Sequence, residues 1–158
     1  MLHFGLTNTQ KREIQMSAPT SIESVPNGPN EFAFLSPAIR VGDLVFVSGG
    51  VGLLPGHGPS GEGASWLPGK VIDGGIEAET RQTLANMREI LRAAGGDLSD
   101  IVKVNTFLRD VDRDFHGYNK VYAEHFPQRP PVRTSIQAKI YGPFLVEIEC
   151  TAYIPLAK

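Results

Sequence analysis

Over residues 144–154 apolar and polar side chains alternate one for one: Phe144, Val146, Ile148, Cys150 and Ala152 against Leu145, Glu147, Glu149, Thr151 and Tyr153. Side chains on a β-strand point in turn to its two faces, so this run is a strand with one dry face and one mixed face. Such a strand persists only inside a sheet whose dry face is covered by a second layer. Residues 132–139 share the period, with Val132, Thr134, Ile136 and Ala138 on one side and Arg133, Ser135, Gln137 and Lys139 on the other. Ile101–Leu108 adds a strand with Val102, Val104, Thr106 and Leu108 facing one way. Two more β-rich runs, residues 31–36 and 43–48, stand either side of a turn at Val41-Gly42, and a hairpin is the natural join.

The covering layer is also legible. Ile76, Thr80, Leu84, Met87, Leu91 and Ala94 recur every three or four residues, with charged and amide residues between them, and Gly95-Gly96 supplies the stop. A second helix, capped by Asp112 and halted by Pro127, carries Phe115, Tyr118, Tyr122 and Phe126 as its stripe. The expected fold class is therefore α+β: two layers, a mostly antiparallel sheet with two helices on one face. Leu145 and Tyr153 on the far side of the sheet call for cover from another subunit, and cyclic symmetry is the usual solution.

With 158 residues, 41% of them apolar and 20% charged, the chain supports one domain with one core. Residues 1–30 lack periodicity and end in Pro26-Asn27-Gly28-Pro29-Asn30. They read as a poorly ordered lead-in, leaving 31–158 as the domain. The basic pair Lys11-Arg12 follows rather than precedes the apolar residues of the N-terminus, which is the wrong order for a secretory signal. The longest apolar runs, such as residues 44–47, are too short to span a bilayer, so no membrane association is expected. Cys150 is the only cysteine, which excludes an intrachain disulfide and leaves a cytoplasmic location as the default. Fifteen basic residues scattered among seventeen acids give no basic stripe, and no nucleic-acid partner is expected. The glycine-rich segment from 49 to 75 reads as one long surface loop. Its 53–70 portion is a flap carrying Trp66.

The four histidines (His3, His57, His116 and His125) have no ligand spacing, so no metal is expected, and Ser48-Gly49-Gly50-Val51-Gly52 lacks the ending of a phosphate loop. It reads instead as a turn where backbone approaches a ligand. The informative residue is Arg133. Alternation sets it with Glu147 and Glu149 on the faces opposite the apolar stripes. There it is either half of a structural ion pair or a planar fork for a carboxylate.

The run Pro131-Val132-Arg133-Thr134-Ser135-Ile136, followed by Val146-Glu147-Ile148-Glu149, resembles the C-terminal hallmark of the Rid (YjgF/YER057c/UK114, also endoribonuclease L-PSP) family. Leu44-Val45-Phe46-Val47-Ser48-Gly49, the helix from Glu77, the strand ending in Thr106-Phe107-Leu108-Arg109-Asp110 and the second helix with Asn119 resemble the family's other segments in order. The resemblance implies a chorismate-mutase-like homotrimer with ligand sites in clefts between subunits. It also implies hydrolysis of reactive 2-imino acids and their enamines to 2-oxo acids and ammonia, of the 2-iminobutanoate/2-iminopropanoate type, without a cofactor. Arg133 would then hold the substrate carboxylate and Glu147 would position the attacking water. Backbone at Ser135 and Gly49 would meet the rest of the substrate, and Asn119 would line or brace the site. Leu35 stands where many members carry a tyrosine, and Ser135 where deaminating members carry a cysteine. Two alternatives share the same residues: a non-catalytic binding protein for amino or 2-oxo acids, and a ribonuclease-type activity. The dispersed charge argues against the second.

Overall fold

The computed structural model describes residues 19–22, 36–54 and 70–156. Thr20–Ile22 (β1), Ala38–Val41 (β2), Leu44–Val51 (β3), Ile101–Leu108 (β4), Val132–Gln137 (β5) and Val146–Tyr153 (β6) form one mixed sheet in the order β1-β2-β3-β6-β4-β5. Only the β4–β5 pair is parallel. Gly75–Ala93 (α1) and Val111–His125 (α2) pack on one face, as the alternating and helical patterns require. The expected two-layer α+β architecture is what forms. Among the described residues no helix is long and apolar enough to cross a membrane.

The dry face of β6 supplies Val146, Ile148 and Ala152 to the core, where they meet Leu84, Met87 and Leu91 of α1 and Val121 of α2. Each such side chain contributes about 1.5–3 kcal/mol by leaving water. α1 ends as anticipated: Gly95 adopts φ 84°, and the Gly96 N–H reaches back to the Leu91 carbonyl at 2.9 Å. That left-handed residue lets the last carbonyls find donors.

Four details differ from the pattern-based expectation. The hairpin turns at Gly42-Asp43 but pairs β3 with Ala38–Val41, whereas residues 31–35, expected as its partner, lie outside the described residues. Thr20–Ile22, within the expected lead-in, pair with β2 at the sheet's edge. The register of β4 against β6 shifts between Ile101 and Lys103, turning Ile101 inward and leaving Val102 45% exposed. An irregularity of one residue inverts alternation on one side of it. Finally, α2 starts one residue after Asp110, whose carboxylate accepts from the Arg113 N–H at 3.1 Å, so Asp112 sits in the first turn instead of capping it. Phe115 is correspondingly exposed, and Tyr118, Val121 and Tyr122 carry the buried stripe.

The neck of the glycine-rich loop is closed by backbone pairs from Leu54 N–H to the Lys70 carbonyl (2.8 Å) and Ile72 N–H to the Gly52 carbonyl (3.0 Å). Asn86 of α1, 3% exposed, pins the same place by donating to the carbonyls of Val51 and Leu53. The flap itself, Trp66 included, lies outside the described residues.

Candidate functional site

Among the described residues β5 is an edge strand, paired on one side only. Its register sets Arg133 beside Val104 and Ser135 beside Thr106, both buried under the helices. Arg133 and Ser135 therefore point toward the helix layer, where α2 presents two tyrosines one turn apart. The Arg133 guanidinium lies 4.4 Å from the Tyr122 ring centre and 5.1 Å from that of Tyr118. A cation over aromatic faces gains roughly 0.5–2 kcal/mol, more as water is excluded. The two rings fix where the fork sits. Among the described residues no carboxylate stands within ion-pair distance of Arg133. The structural ion pair weighed from the sequence is not formed within this chain.

Glu147 and Glu149 are on the other side of the sheet. They share the open face with Phe107 and Asn105 of β4, and Glu149 accepts from the Asn105 amide at 2.7 Å. The expectation that Arg133, Glu147 and Glu149 occupy like faces is thus overturned. Alternation separates a strand's residues into two sets, but pairing with β4 decides which set meets the helices. In β5 it is the polar set, and Val132 and Ile136 are turned outward, 69% and 49% exposed.

Glu147 does meet another expected site residue. The β3–β6 register shifts between Val47 and Gly50, and a Cβ placed on Gly49 would collide with the Glu147 carboxylate. Gly49 is thus a strand residue at a bulge rather than a turn, and its missing side chain is the room that Glu147 fills. Burial, and then the charge of Glu149, raise the Glu147 pKa above its ordinary 4.5. A half-buried carboxylate that holds its proton more tightly is a group suited to trading protons with a bound water. Asn119, half-buried, lies on α2 between the two tyrosines, and Leu35 falls outside the described residues.

Glu79 is one of the charged residues that the helical pattern sets between the apolar positions of α1. It is 2% exposed, and one carboxylate oxygen accepts from the N–H groups of Leu145 (2.6 Å) and Val146 (3.2 Å). Burial outweighs those bonds and raises its pKa. Glu79 holds the start of β6 in place two residues before Glu147. A glutamate inside a helical stripe between Ile76 and Thr83 was the available signal. Glu79→Ala leaves two buried donors unpaired and is expected to lose about 2–4 kcal/mol of stability, read from the urea midpoint, with Glu79→Gln milder because it keeps an acceptor.

The open face also carries large apolar side chains, with Phe46 46% and Tyr153 50% exposed beside Val132 and Ile136, among exposed polar residues such as Lys103 and Thr134. A shallow groove of about 290 Å³ runs across it between Phe46, Lys103, Asn105, Glu149 and Thr151. Cys150 lines its floor, and burial pushes that thiol up to about 12, so it stays protonated and is no nucleophile at neutral pH.

A mixed sheet with two helices on one face, a stacked edge arginine and a carboxylate seated over a strand glycine define a class of small α+β proteins. The chain belongs to the Rid (YjgF/YER057c/UK114) family, and residues 26–154 match the family model described as endoribonuclease L-PSP. It is 36% identical over 137 residues to the chloroplastic Reactive Intermediate Deaminase A of Arabidopsis thaliana, covering 86% of this chain and 67% of that one. It is 32% identical over 130 residues to the human 2-iminobutanoate/2-iminopropanoate deaminase, covering 82% and 86%. A crystal structure of a Mycobacterium tuberculosis YjgF/YER057c/UK114 family member superposes with a TM-score of 0.65 at 29% identity, over 87% of this chain and all of that one.

Proposed function

We propose that this protein is a hydrolytic deaminase of small 2-imino acids and their enamine tautomers, releasing 2-oxo acids and ammonia from clefts between the subunits of a homotrimer. One observation carries the reading. The guanidinium of Arg133 lies over the rings of two tyrosines without an acid partner among the described residues, on the sheet face opposite Glu147. A single chain cannot bring these two groups to one ligand. A second copy can, if the β5 edge of one subunit meets the open face of the next. Two different surfaces in contact generate a closed ring, and the exposed Phe46, Val132, Ile136 and Tyr153 would be covered by it. The relatives' names agree with the chemistry.

The chemistry needs little from the protein. The carbon of a protonated imine is already electrophilic. Arg133 anchors the carboxylate through paired N–H donors and takes no part in proton transfer. Glu147 orients a water and accepts its proton as the oxygen bonds to C2. The resulting amino alcohol takes the proton back on nitrogen, ammonia leaves as the C2 hydroxyl gives its proton to Glu147 and the carbonyl forms, and that proton departs with the ammonia as ammonium. Backbone at Ser135 and Gly49 faces the rest of the substrate. Asn119 braces the Arg133 side and Leu35 would add an apolar wall.

The test is turnover. An imine generated in situ from 2-aminobutyrate by an amino-acid oxidase should yield 2-oxobutanoate and ammonia faster when the protein is added. Saturable binding of 2-oxobutanoate with no acceleration would replace the enzyme by a binding protein.

A further inference from the structure

Behind Arg133 the interior is polar where a sheet–helix interface is ordinarily dry. Tyr118 is fully buried, and its hydroxyl stands 2.6 Å from Thr106 Oγ1. Burial raises the Tyr118 pKa, opposed by Thr106, Arg133 and the nearby Ser135, and among the described residues the buried Ser135 hydroxyl has no hydrogen-bond partner. Tyr118 thus touches three residues of the Arg133 half-site: the guanidinium through its ring, Thr106 through its oxygen, and Ser135 by proximity. Thr106 is the β4 neighbour of Ser135, so the phenol spans the two strands that set the position of β5.

We propose that Tyr118 is a positioning residue for the carboxylate anchor: its ring, held in place by the Thr106 bond, presets where the Arg133 guanidinium sits. An arginine side chain left to itself samples many rotamers, and a fork aligned before the ligand arrives binds more tightly. Tyr122 provides a second ring at 4.4 Å, but no hydrogen bond within the described residues locks its hydroxyl, so it cannot hold the guanidinium in place alone. A fork that is better aligned stabilises bound substrate and transition state alike, so Tyr118 acts on affinity rather than on the chemical step.

This inference rests on the reading of Arg133 as a carboxylate anchor, and the experiment separates the two. The Kd of 2-oxobutanoate is measured calorimetrically for the wild type, Arg133→Ala, Tyr118→Met, Tyr118→Phe and Val121→Ala. Met fills the space without a ring. Val121 is an equally buried α2 residue that reports general loosening of the helix. Tyr118→Met should weaken binding about tenfold with kcat within twofold of wild type, Tyr118→Phe, which keeps the ring but loses the Thr106 bond, should weaken it severalfold, and Val121→Ala should leave Kd unchanged. Wild-type binding by folded Tyr118→Met, or equal weakening in Val121→Ala, overturns the role for Tyr118. Unchanged binding in Arg133→Ala overturns the anchor itself and the positioning with it. Should Tyr118→Met fail to fold, Tyr118→Phe still decides, because wild-type affinity in a variant that loses only the Thr106 bond overturns the role.

Discussion

Arg133→Ala is expected to lower kcat/KM for imine deamination by roughly a hundredfold or more while leaving the fold intact. Hydrogen bonds to charged groups are worth about 1.5–3 kcal/mol each, and a bidentate carboxylate uses two. About 2.7 kcal/mol is already a hundredfold in kcat/KM. Stability should fall only by the cation–aromatic contacts, about 0.5–2 kcal/mol, because Arg133 has no ion pair among the described residues and its edge strand is held by backbone pairing to β4. Arg133→Lys keeps the charge but loses both the fork and the flat surface against Tyr118 and Tyr122, and should remain far below wild type. Steady-state kinetics beside urea unfolding of the same variants separates the effects. Undiminished deamination by Arg133→Ala would remove the anchor from the mechanism.

Glu147→Gln is the second large effect. Loss of a group that takes and returns a proton typically costs 10²–10⁴-fold in rate, and a fall of about a hundredfold in kcat is expected. The pH dependence carries the sign. Burial and the neighbouring Glu149 raise the pKa of Glu147, so the folded protein holds this proton to higher pH than the unfolded chain does. Activity that needs the carboxylate should rise as pH passes through a value above 4.5, and this ascending limb should vanish in Glu147→Gln. For stability, the contribution of Glu147 is fully present below its unfolded pKa and is lost as pH rises through the folded one. Glu147→Gln should therefore gain stability relative to wild type as pH increases across that window. A pH–rate profile still rising with the same limb in Glu147→Gln would assign the limb to another group.

The two variants together test the intersubunit cleft. If each site takes Arg133 from one subunit and Glu147 from the next, unfolding and refolding an equal mixture of Arg133→Ala and Glu147→Gln chains should restore about a quarter of the wild-type activity. Three-quarters of the randomly assembled rings are mixed, and each mixed ring has one intact site in three. No recovery would place both groups in the same subunit's site.

The two periods in the sequence decided most of what they touched. The one-for-one alternation over residues 144–154 placed Phe144, Val146, Ile148, Cys150 and Ala152 in the interior, where all five lie within 5% exposure. The stripe from Ile76 to Ala94, closed by Gly95-Gly96, became α1 with its left-handed stop. These features are local, because a side chain's direction along a strand or helix follows from its own backbone. The hallmark around Arg133 and Glu147 also named the residues worth examining.

The tertiary structure alone decided how those residues are distributed. Which side of β5 meets the helices depends on its register with β4, so Arg133 turned inward onto Tyr118 and Tyr122 while Glu147 stayed on the open face over Gly49. The bulge that displaces Val102, the bulge that makes room for Glu147 and the burial of Glu79 against the start of β6 are likewise properties of partners far apart in the chain. Alternation is set by bond geometry within a strand, but facing is set by hydrogen bonds between strands, and only the assembled sheet contains those.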